Sequence, residues 1–312
     1  MRRAIAILAA ALALSATACL CPASAEKYAL LVGINDYQSE RIPDLRGAIN
    51  DVQLMRTVLV SRFQFPEKNI RTLTDLDATK ERIVAEFQNW LGQAGPNDVV
   101  YFHFSGHGSQ ATDRNGDEDD GMDETICPRD IRTDPRNPIG RDIVDDEMGP
   151  MIANLKAGSI TIVFDSCHSG TASRGLDDQF APISLGAGEK RPTLVRMCEG
   201  VIDPNVPARG GRESNGFTSL LQAPTASRSL GPGASRSAGA NFVMISGCRD
   251  NETSADAPFQ VDSRSWAYFG ALTYHLAGAL AESGAIKNPT YSAILQAVLA
   301  SLKRKSFKQN PV

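Results

Sequence analysis

The chain has 312 residues, which suits one large α/β domain or two smaller ones. Hydrophobic residues make up 42% of the sequence, which excludes a disordered chain. The formal net charge is −4, and no basic patch is large enough to indicate nucleic-acid binding.

The N-terminal residues have the pattern of an export signal. Two arginines precede the apolar stretch Ala4–Leu14, and Ala23–Ala25 offers a small-residue cleavage site. The apolar stretch is too short to span a bilayer comfortably. We therefore predict a signal peptide over residues 1–25 and an exported protein, periplasmic or secreted, with no stable membrane span once the leader is removed. An uncleaved N-terminal anchor is the alternative, and lipid attachment at Cys19 is a minor one.

Removal of the leader leaves four cysteines: Cys127, Cys167, Cys198 and Cys248. An exported compartment permits disulfides. Four scattered cysteines do not make a disulfide framework, although a single bridge remains open. A reactive thiol is the more informative interpretation.

Apolar runs alternate with helical periodicities along the rest of the chain. The predicted strands are Lys27–Ile34, Asn69–Asp75, Val99–Phe104, Ser159–Phe164 and Asn241–Ser246. The predicted helices are Leu45–Val60, Ala78–Ala94, Trp266–Ala281 and Thr290–Lys303. This alternation predicts an α/β fold, with a mostly parallel sheet covered by helices on both faces.

The stretch from residue 176 to residue 240 shows neither the two-residue period of a strand nor the 3.6-residue period of a helix. It is rich in Gly, Pro, Ser and Arg. We interpret it as a long, flexible, low-complexity surface loop that joins two parts of one sheet. A solvated linker without a role is the alternative. The arginines in and around this loop include Arg191, Arg196, Arg209, Arg212, Arg228 and Arg236.

Reactive side chains follow two of the predicted strands. Ser105–Gly108 comes after the third strand, and Asp165–Gly170 comes after the fourth. Parallel sheets carry their chemistry beyond the carboxyl ends of the strands, and adjacent strands lie about 4.8 Å apart. If these two strands are neighbours, His107 and Cys167 come within reach of each other. A thiol nucleophile needs such an imidazole, which takes its proton and later returns it to the leaving amine.

The turns that hold these side chains contain glycine. Gly106 and Gly108 allow a tight turn and the close approach of a ligand. Gly170 lies just past Cys167, where backbone N–H groups could point at a developing oxyanion.

His168 is the alternative base. Successive side chains of an extended segment point to opposite sides, so His168 is badly placed to serve its neighbour Cys167. His103 lies inside the third strand and is interpreted as a core or sheet-face histidine. His275 falls within a predicted helix and is interpreted as structural.

Several sequence blocks, in this order, resemble the metacaspases, which belong to the caspase-like clan of cysteine peptidases. The blocks are Tyr28–Tyr37, Leu45–Met55, Phe102–Gln110, Gly116–Asp130, Ile143–Met148, Phe164–Gly170 and Ile245–Ala257. The resemblance implies a caspase-like three-layer sandwich over residues 26–312. Within it, residues 26–175 would form a larger p20-like part and residues 241–312 a smaller p10-like part.

The resemblance also implies a cysteine endopeptidase that cleaves protein or peptide substrates after Arg or Lys. Cys167 would be the nucleophile and His107 the general base and acid. Matching blocks place Asp51, Ser105 and Asp165 in the substrate pocket. A desolvated pair of carboxylates favours a guanidinium or an ammonium group, which agrees with this placement. A helix-surface carboxylate at Asp51 and a turn-stabilising carboxylate at Asp165 are the alternatives.

The acid-rich stretch Asp113–Glu124 does not fit an EF-hand. The position that requires glycine is Glu118, and a strand-type region precedes the loop where an EF-hand has a helix. Clustered carboxylates still suit a hard cation. In similar metacaspases calcium is held here, and the resemblance implies as ligands Asp123 or Asp120, Asp145, Asp146 and Asp177. A solvated acidic loop is the alternative.

These observations predict a metacaspase-like cysteine endopeptidase that is activated by calcium and processes itself within residues 176–240. The alternative is a non-catalytic caspase-like scaffold or a metal-regulated binding protein. Retention of both His107 and Cys167 disfavours this alternative.

Overall fold

The computed structural model describes residues 25–118, 121–131, 141–167, 183–184, 190–198, 241–249, 252–282 and 290–312. Residues 1–24 of the predicted signal peptide and most of the predicted loop over 176–240 lie outside the described residues, as does His168.

Strands and helices alternate through most of the chain. The strands are β1 (Lys27–Gly33), β2 (Ile70–Thr74), β3 (Val99–Ser105), β4 (Gly108–Thr112), β5 (Met122–Ile126), β6 (Ile143–Val144), β7 (Ser159–Asp165), β8 (Ile183–Ser184), β9 (Lys190–Arg191), β10 (Leu194–Val195), β11 (Asn241–Ser246), β12 (Ala255–Gln260) and β13 (Trp266–Gly270). The helices are α1 (Ala48–Phe63), α2 (Lys80–Asn89), α3 (Asp145–Ala153), α4 (Ala271–Glu282) and α5 (Tyr291–Arg304).

A five-stranded sheet in the order β11-β7-β3-β1-β2 forms the centre of the fold. All four pairings in it are parallel. Its strands confirm the five apolar runs predicted from the sequence. β11 lies beside β7, so a strand that follows the 176–240 stretch completes the sheet begun by earlier strands.

The two faces of the sheet bury separate hydrophobic clusters. Leu30 and Phe102 point toward the side covered by α2 and α3, whereas Leu31 and Tyr101 point toward α1, α4 and α5. This alternation follows from the two-residue period of a strand. Phe102 is fully buried and meets the rings of Phe87 and Phe164 edge to face. The predicted α/β fold with helices on both faces of a parallel sheet is confirmed.

Among the described residues, three small antiparallel sheets lie outside the central sheet, in the orders β4-β5-β6, β10-β12-β13 and β8-β9. The prediction of a helix over Trp266–Ala281 was wrong for its first five residues, which form β13. The aromatic sequence of Trp266–Gly270 favours a strand, and β12 supplies the pairing partner. The helix begins only at Ala271.

Among the described residues, no helix is both long and apolar enough to cross a membrane.

Candidate active site

The register of two adjacent strands brings the predicted nucleophile and base together. β3 and β7 pair in parallel with Ser105 opposite Asp165, and the chain continues two residues beyond each to His107 and Cys167. Both side chains are fully buried at the carboxyl edge of the sheet. The structure therefore places an imidazole and a thiol at the ends of neighbouring strands.

The hydrogen bonds of His107 fix the role of each ring nitrogen. Nε2 lies 2.7 Å from the carbonyl oxygen of Pro43. A carbonyl only accepts, so Nε2 carries the hydrogen and the neutral ring keeps its lone pair on Nδ1. Nδ1 has no hydrogen-bond partner among the described residues. Burial lowers the pKa of His107 to about 4, and the nearby Arg196 adds to this while the Pro43 carbonyl opposes it. The imidazole is therefore neutral near pH 7 and can accept a proton.

The Tyr37 hydroxyl holds the backbone at this histidine. It accepts a hydrogen bond from the His107 N–H at 2.7 Å, and the two rings lie 4.9 Å apart. A Cβ at Gly106 would come within 2.9 Å of the same hydroxyl oxygen, so the turn between β3 and His107 requires a glycine.

The sulfur of Cys167 is also held in place. Sγ accepts a hydrogen bond from the Ser254 N–H at 2.7 Å. Around it pack the side chains of Met197, Cys248 and Val195.

A pocket of buried carboxylates lies beside this pair. The predicted residues Asp51, Ser105 and Asp165 all line it, and each is fully buried. Ser105 Oγ donates to Asp51 at 2.6 Å. Asp256, which the sequence analysis did not single out, supplies a third carboxylate and is also fully buried. The interpretation of Asp51 as a helix-surface carboxylate is therefore excluded.

The N-terminus of α4 forms the wall behind these carboxylates. The N–H and Oγ of Thr273 donate to Asp165 Oδ2 at 2.8 and 2.7 Å, and the Gly270 N–H donates to Asp51 at 3.0 Å. Such N–H groups stabilise negative charge. A Cβ at Gly270 would lie 2.1 Å from Asp165 Oδ2, so only glycine leaves the pocket open.

The guanidinium of Arg196 fills this pocket. Nη2 lies 2.7 Å from Asp51 and 2.9 Å from Asp256, and Nη1 lies 3.6 Å from Asp165. Nη1 also donates to Ser105 Oγ at 2.6 Å. Although Arg196 belongs to the stretch interpreted as a surface loop, its side chain is fully buried.

The charges in the pocket depend on one another. Burial lowers the pKa of Arg196, but the three carboxylates outweigh it and the net shift is upward. Burial raises the pKa of Asp51 to about 7, although Arg196 opposes that shift. Removing one partner from a buried ion cluster typically costs about 3–5 kcal/mol, because the remaining charge is left uncompensated. The pocket is therefore built to hold a cation.

The backbone of Arg196 lies against the reactive pair. Its carbonyl oxygen accepts hydrogen bonds from the N–H groups of Gly108 and Cys167, both at 3.1 Å. Two N–H donors that converge on a carbonyl beside a nucleophile form an oxyanion hole. The sequence predicted such donors near Gly170, which lies outside the described residues.

Comparison with known proteins agrees with this geometry. Residues 27–174 match the family model described as metacaspase, peptidase C14 domain. Metacaspase-1A of Aspergillus oryzae is 35% identical over 302 residues, which cover 91% of this chain and 66% of that protein. Metacaspase-1A of Aspergillus terreus is 34% identical over 307 residues, covering 92% of this chain and 69% of that protein.

The chain belongs to the metacaspase family.

The predicted family is thus confirmed, and it is a family of cysteine peptidases. The chain spans only 58–69% of the length of the first curated metacaspases that it matches. A crystal structure of a protein from Geobacter sulfurreducens has the same fold, with a TM-score of 0.57, 22% identity and 92% of each chain covered.

This metacaspase chain carries two groups of carboxylates at the β4–β5 hairpin and the adjacent start of α3. Within each group the ligand atoms lie within 4.8 Å of one another. The first group is Asp113, Asp117 and Asp123; the second is Glu118, Glu124 and Asp145. The hairpin joins two antiparallel strands, which differs from the helix-loop-helix of an EF-hand.

The predicted calcium ligands fall into these groups in part. Asp123 and Asp145 belong to different groups, and Asp146 accepts a hydrogen bond from Asn115 Nδ2 at 2.6 Å beside the first. Asp120 and Asp177 lie outside the described residues. Burial, with neighbouring carboxylates, raises the pKa of Asp123 to about 7 and that of Asp145 to about 8. Six carboxylates in this space offer the oxygen donors that a calcium ion takes.

The other two histidines that the structure describes have structural surroundings. His103 Nε2 lies 3.3 Å from Thr273 Oγ1, and His275 Nδ1 lies 3.0 Å from Ser301 Oγ. Burial lowers the pKa of each to about 4.

Proposed function

We propose that this metacaspase is an endopeptidase that cleaves the peptide bond after Arg or Lys through Cys167 and His107. The observation that carries the proposal is the position of Arg196. Its guanidinium lies among three buried carboxylates, and its carbonyl oxygen accepts two N–H hydrogen bonds beside the thiol. This is the arrangement that a bound substrate arginine needs.

The reaction follows from the positions of the groups. Nδ1 of His107 takes the proton of the Cys167 thiol, and the thiolate attacks the carbonyl carbon of the substrate. The N–H groups of Gly108 and Cys167 stabilise the oxyanion. His107 then protonates the leaving amine, and a thioester remains on Cys167. Water, deprotonated by His107, hydrolyses the thioester and restores the thiol.

The charge of the pocket supports selectivity for basic side chains. An acidic side chain would add a fourth negative charge to Asp51, Asp165 and Asp256 in a site that excludes water. Arginine presents a fork of donors that reaches Asp51, Asp256 and Ser105 together, as Arg196 does. Lysine offers a single charged nitrogen, so we expect it to be cleaved more slowly than arginine.

Calcium activation is the second part of the proposal. The carboxylates of the β4–β5 hairpin support it, because the hairpin is tied to the reactive groups at its base. β4 begins at Gly108, which donates to the oxyanion position, and the N–H of Cys127, next to β5, donates to the His107 carbonyl at 3.0 Å. An ion that orders the hairpin would hold both groups in position.

Self-processing within residues 176–240 and export through the leader over residues 1–25 complete the proposal. The arginines of the 176–240 stretch support the first, and the charged and apolar parts of the leader support the second. The alternative of a non-catalytic scaffold does not account for the oxyanion donors and the neutral imidazole beside the thiol.

The peptidase proposal is tested with fluorogenic peptides that end in Arg, Lys or Asp. After incubation with calcium, we expect hydrolysis of the Arg peptide, slower hydrolysis of the Lys peptide and none of the Asp peptide. The substitution Cys167→Ala should lower kcat/KM by about 1,000-fold or more, because it removes the nucleophile. Ser61→Ala, at an exposed position of α1, serves as the control and should keep most of the activity. Equal turnover by the wild type and Cys167→Ala would remove Cys167 from the mechanism.

The calcium proposal is tested by titration. We expect a strong chelator to abolish peptide hydrolysis, and calcium to raise the Tm of the uncut Cys167→Ala protein because it binds the folded state. Asp145→Asn should raise the calcium concentration for half-maximal activity by about 10-fold or more. Glu282→Gln, which changes an exposed carboxylate at the end of α4, should leave it unchanged. Full activity in excess chelator would refute the requirement for calcium.

A further inference from the structure

We propose that the Arg196–Met197 peptide bond is the first substrate of this chain, and that the segment Leu194–Cys198 blocks the active site until that bond is cut. We call Leu194–Cys198 the bound segment. The inference rests on the proposed function and adds the bond that is cut and the consequence of cutting it.

The residues before the bond are held as a strand. Leu194 and Val195 pair antiparallel with Asp256 and Ala255, and the Arg196 N–H donates to the Ser254 carbonyl at 3.1 Å. An extended peptide that adds to an exposed strand is a general mode of peptide recognition, in which the backbone gives affinity and side-chain pockets give specificity. Here the pocket is the one that holds the Arg196 guanidinium.

The residues after the bond are held as well. The Cys198 N–H donates to the Gly108 carbonyl at 3.1 Å, and Ser109 Oγ donates to the Cys198 carbonyl at 3.2 Å. Met197 forms a parallel bridge with Gly108 and packs against the side chain of Cys167. The two hydrogen bonds of this bridge involve Arg196 and Cys198, the residues on either side of Met197. The N–H group of Met197 itself therefore points away from β4. The bond is thus fixed from both ends beside the thiol.

A purely structural salt bridge explains less of this arrangement. It would account for the guanidinium among Asp51, Asp165 and Asp256. It would not require the Arg196 carbonyl to accept both N–H groups of the oxyanion hole. Side chain and carbonyl together occupy every position that a substrate arginine needs, so no second arginine can enter while Arg196 is in place.

Cleavage of this bond needs only groups of this chain and one water molecule. Cys167 gives its proton to His107, attacks the Arg196 carbonyl carbon and forms a thioester as the bond to Met197 breaks. His107 returns the proton to the new amino group of Met197, and water converts the thioester to a carboxylate on Arg196. This carboxylate adds a negative charge close to three buried carboxylates, which favours release of the new end.

Protein incubated with calcium and then reduced is expected to give two fragments, one ending at Arg196 and the other beginning at Met197. Intact mass and N-terminal sequencing identify them. The rate should not depend on protein concentration, because bond and thiol belong to one chain. Hydrolysis of the fluorogenic Arg peptide should show a lag that ends as the fragments appear.

Two variants distinguish cleavage of the Arg196–Met197 bond from blockage of the active site by the bound segment. Arg196→Gln should leave this bond intact and remove the lag, whereas the matched control Arg191→Gln should be cut and delayed like the wild type. Met197→Pro keeps Arg196 in the pocket but places a ring carbon on the backbone nitrogen of residue 197. This is the nitrogen to which His107 must return the proton when the bond breaks. We expect this variant to stay uncut and to hydrolyse the Arg peptide at least about 10-fold more slowly than the cut wild type. It keeps the test decisive if Arg196→Gln fails to fold.

Two results would overturn the inference and leave the proposed function standing. One is full peptide hydrolysis from the first moment by a chain that is intact at Arg196. The other is a Met197→Pro protein as active as the cut wild type. Absence of peptide hydrolysis from the wild type and from folded Arg196→Gln would instead refute the proposed function, and the inference with it.

A separate observation concerns two other cysteines. Cys127 Sγ and Cys198 Sγ lie 3.2 Å apart, and both side chains are buried. The backbones of both residues are held by the same short segment, since Cys127 N–H donates to the His107 carbonyl and Cys198 N–H to the Gly108 carbonyl. We infer that these two thiols form a disulfide. A bond length of about 2.05 Å requires the sulfurs to approach by about 1 Å.

This bridge would join the bound segment to the residue that follows β5. After a cut at Arg196, Cys127 lies on the N-terminal fragment and Cys198 on the C-terminal one, so the bridge would keep the fragments joined. In its formation the two thiols lose two protons and two electrons to a disulfide oxidant such as oxidised glutathione, which is reduced to two thiols.

The disulfide is tested in the uncut Cys167→Ala protein treated with oxidised glutathione. We expect a mass lower by two hydrogen atoms and a mapped Cys127–Cys198 peptide, both unaffected by Cys248→Ser and both lost with Cys198→Ser. Alkylation of Cys127 and Cys198 on denaturing the oxidised protein would overturn the inference, as would a bridge that involves Cys248.

Discussion

The buried charge cluster of Arg196 with Asp51, Asp165 and Asp256 is the interaction on which the rest of the site depends. Its carboxylates come from α1, from the end of β7 and from β12, so the pocket forms only when these elements have packed together. Three carboxylates without a cation would repel one another in a site that excludes water. The same electrostatics therefore underlies the proposed selectivity for a basic side chain and the burial of the Arg196 guanidinium.

The parallel sheet provides the second constraint, because it sets where the reactive groups stand. Register between β3 and β7 places His107 and Cys167 at matching positions beyond the strand ends. The Pro43 carbonyl fixes the tautomer of the imidazole, and burial keeps it neutral. The oxyanion donors at Gly108 and Cys167 come from the same two turns. The positions of the thiol, the imidazole and the two N–H donors thus follow from one strand pairing.

The sequence alone predicted the features that short runs of residues encode. The apolar runs of β1, β3, β7 and β11 predicted the central sheet, and the rule for strand ends pointed to His107 and Cys167. The strands β4 and β5 are short and polar, and β10 has only two residues, so each forms through its pairing with another strand and not through an apolar pattern of its own. The sequence therefore carried little signal for them.

The burial of charges was beyond the reach of the sequence for the same reason. An arginine in a stretch rich in glycine and serine looks solvated, and only tertiary contacts place the Arg196 guanidinium among carboxylates. Asp256 lay in a block that supported the family resemblance, but nothing local distinguished it from the other acids nearby. Its position beside Arg196 follows from the pairing of β10 with β12.

The most direct measurement of the electrostatic account compares Arg and citrulline peptides, which differ in charge but little in shape, on the wild type and on Asp256→Asn. The account predicts that Asp256→Asn lowers kcat/KM for the Arg peptide by about 10–100-fold, as expected for loss of one hydrogen bond to a charged group, and changes that for citrulline by less than about 3-fold. An equal loss for both peptides would contradict the claim that buried carboxylates select the substrate by its charge.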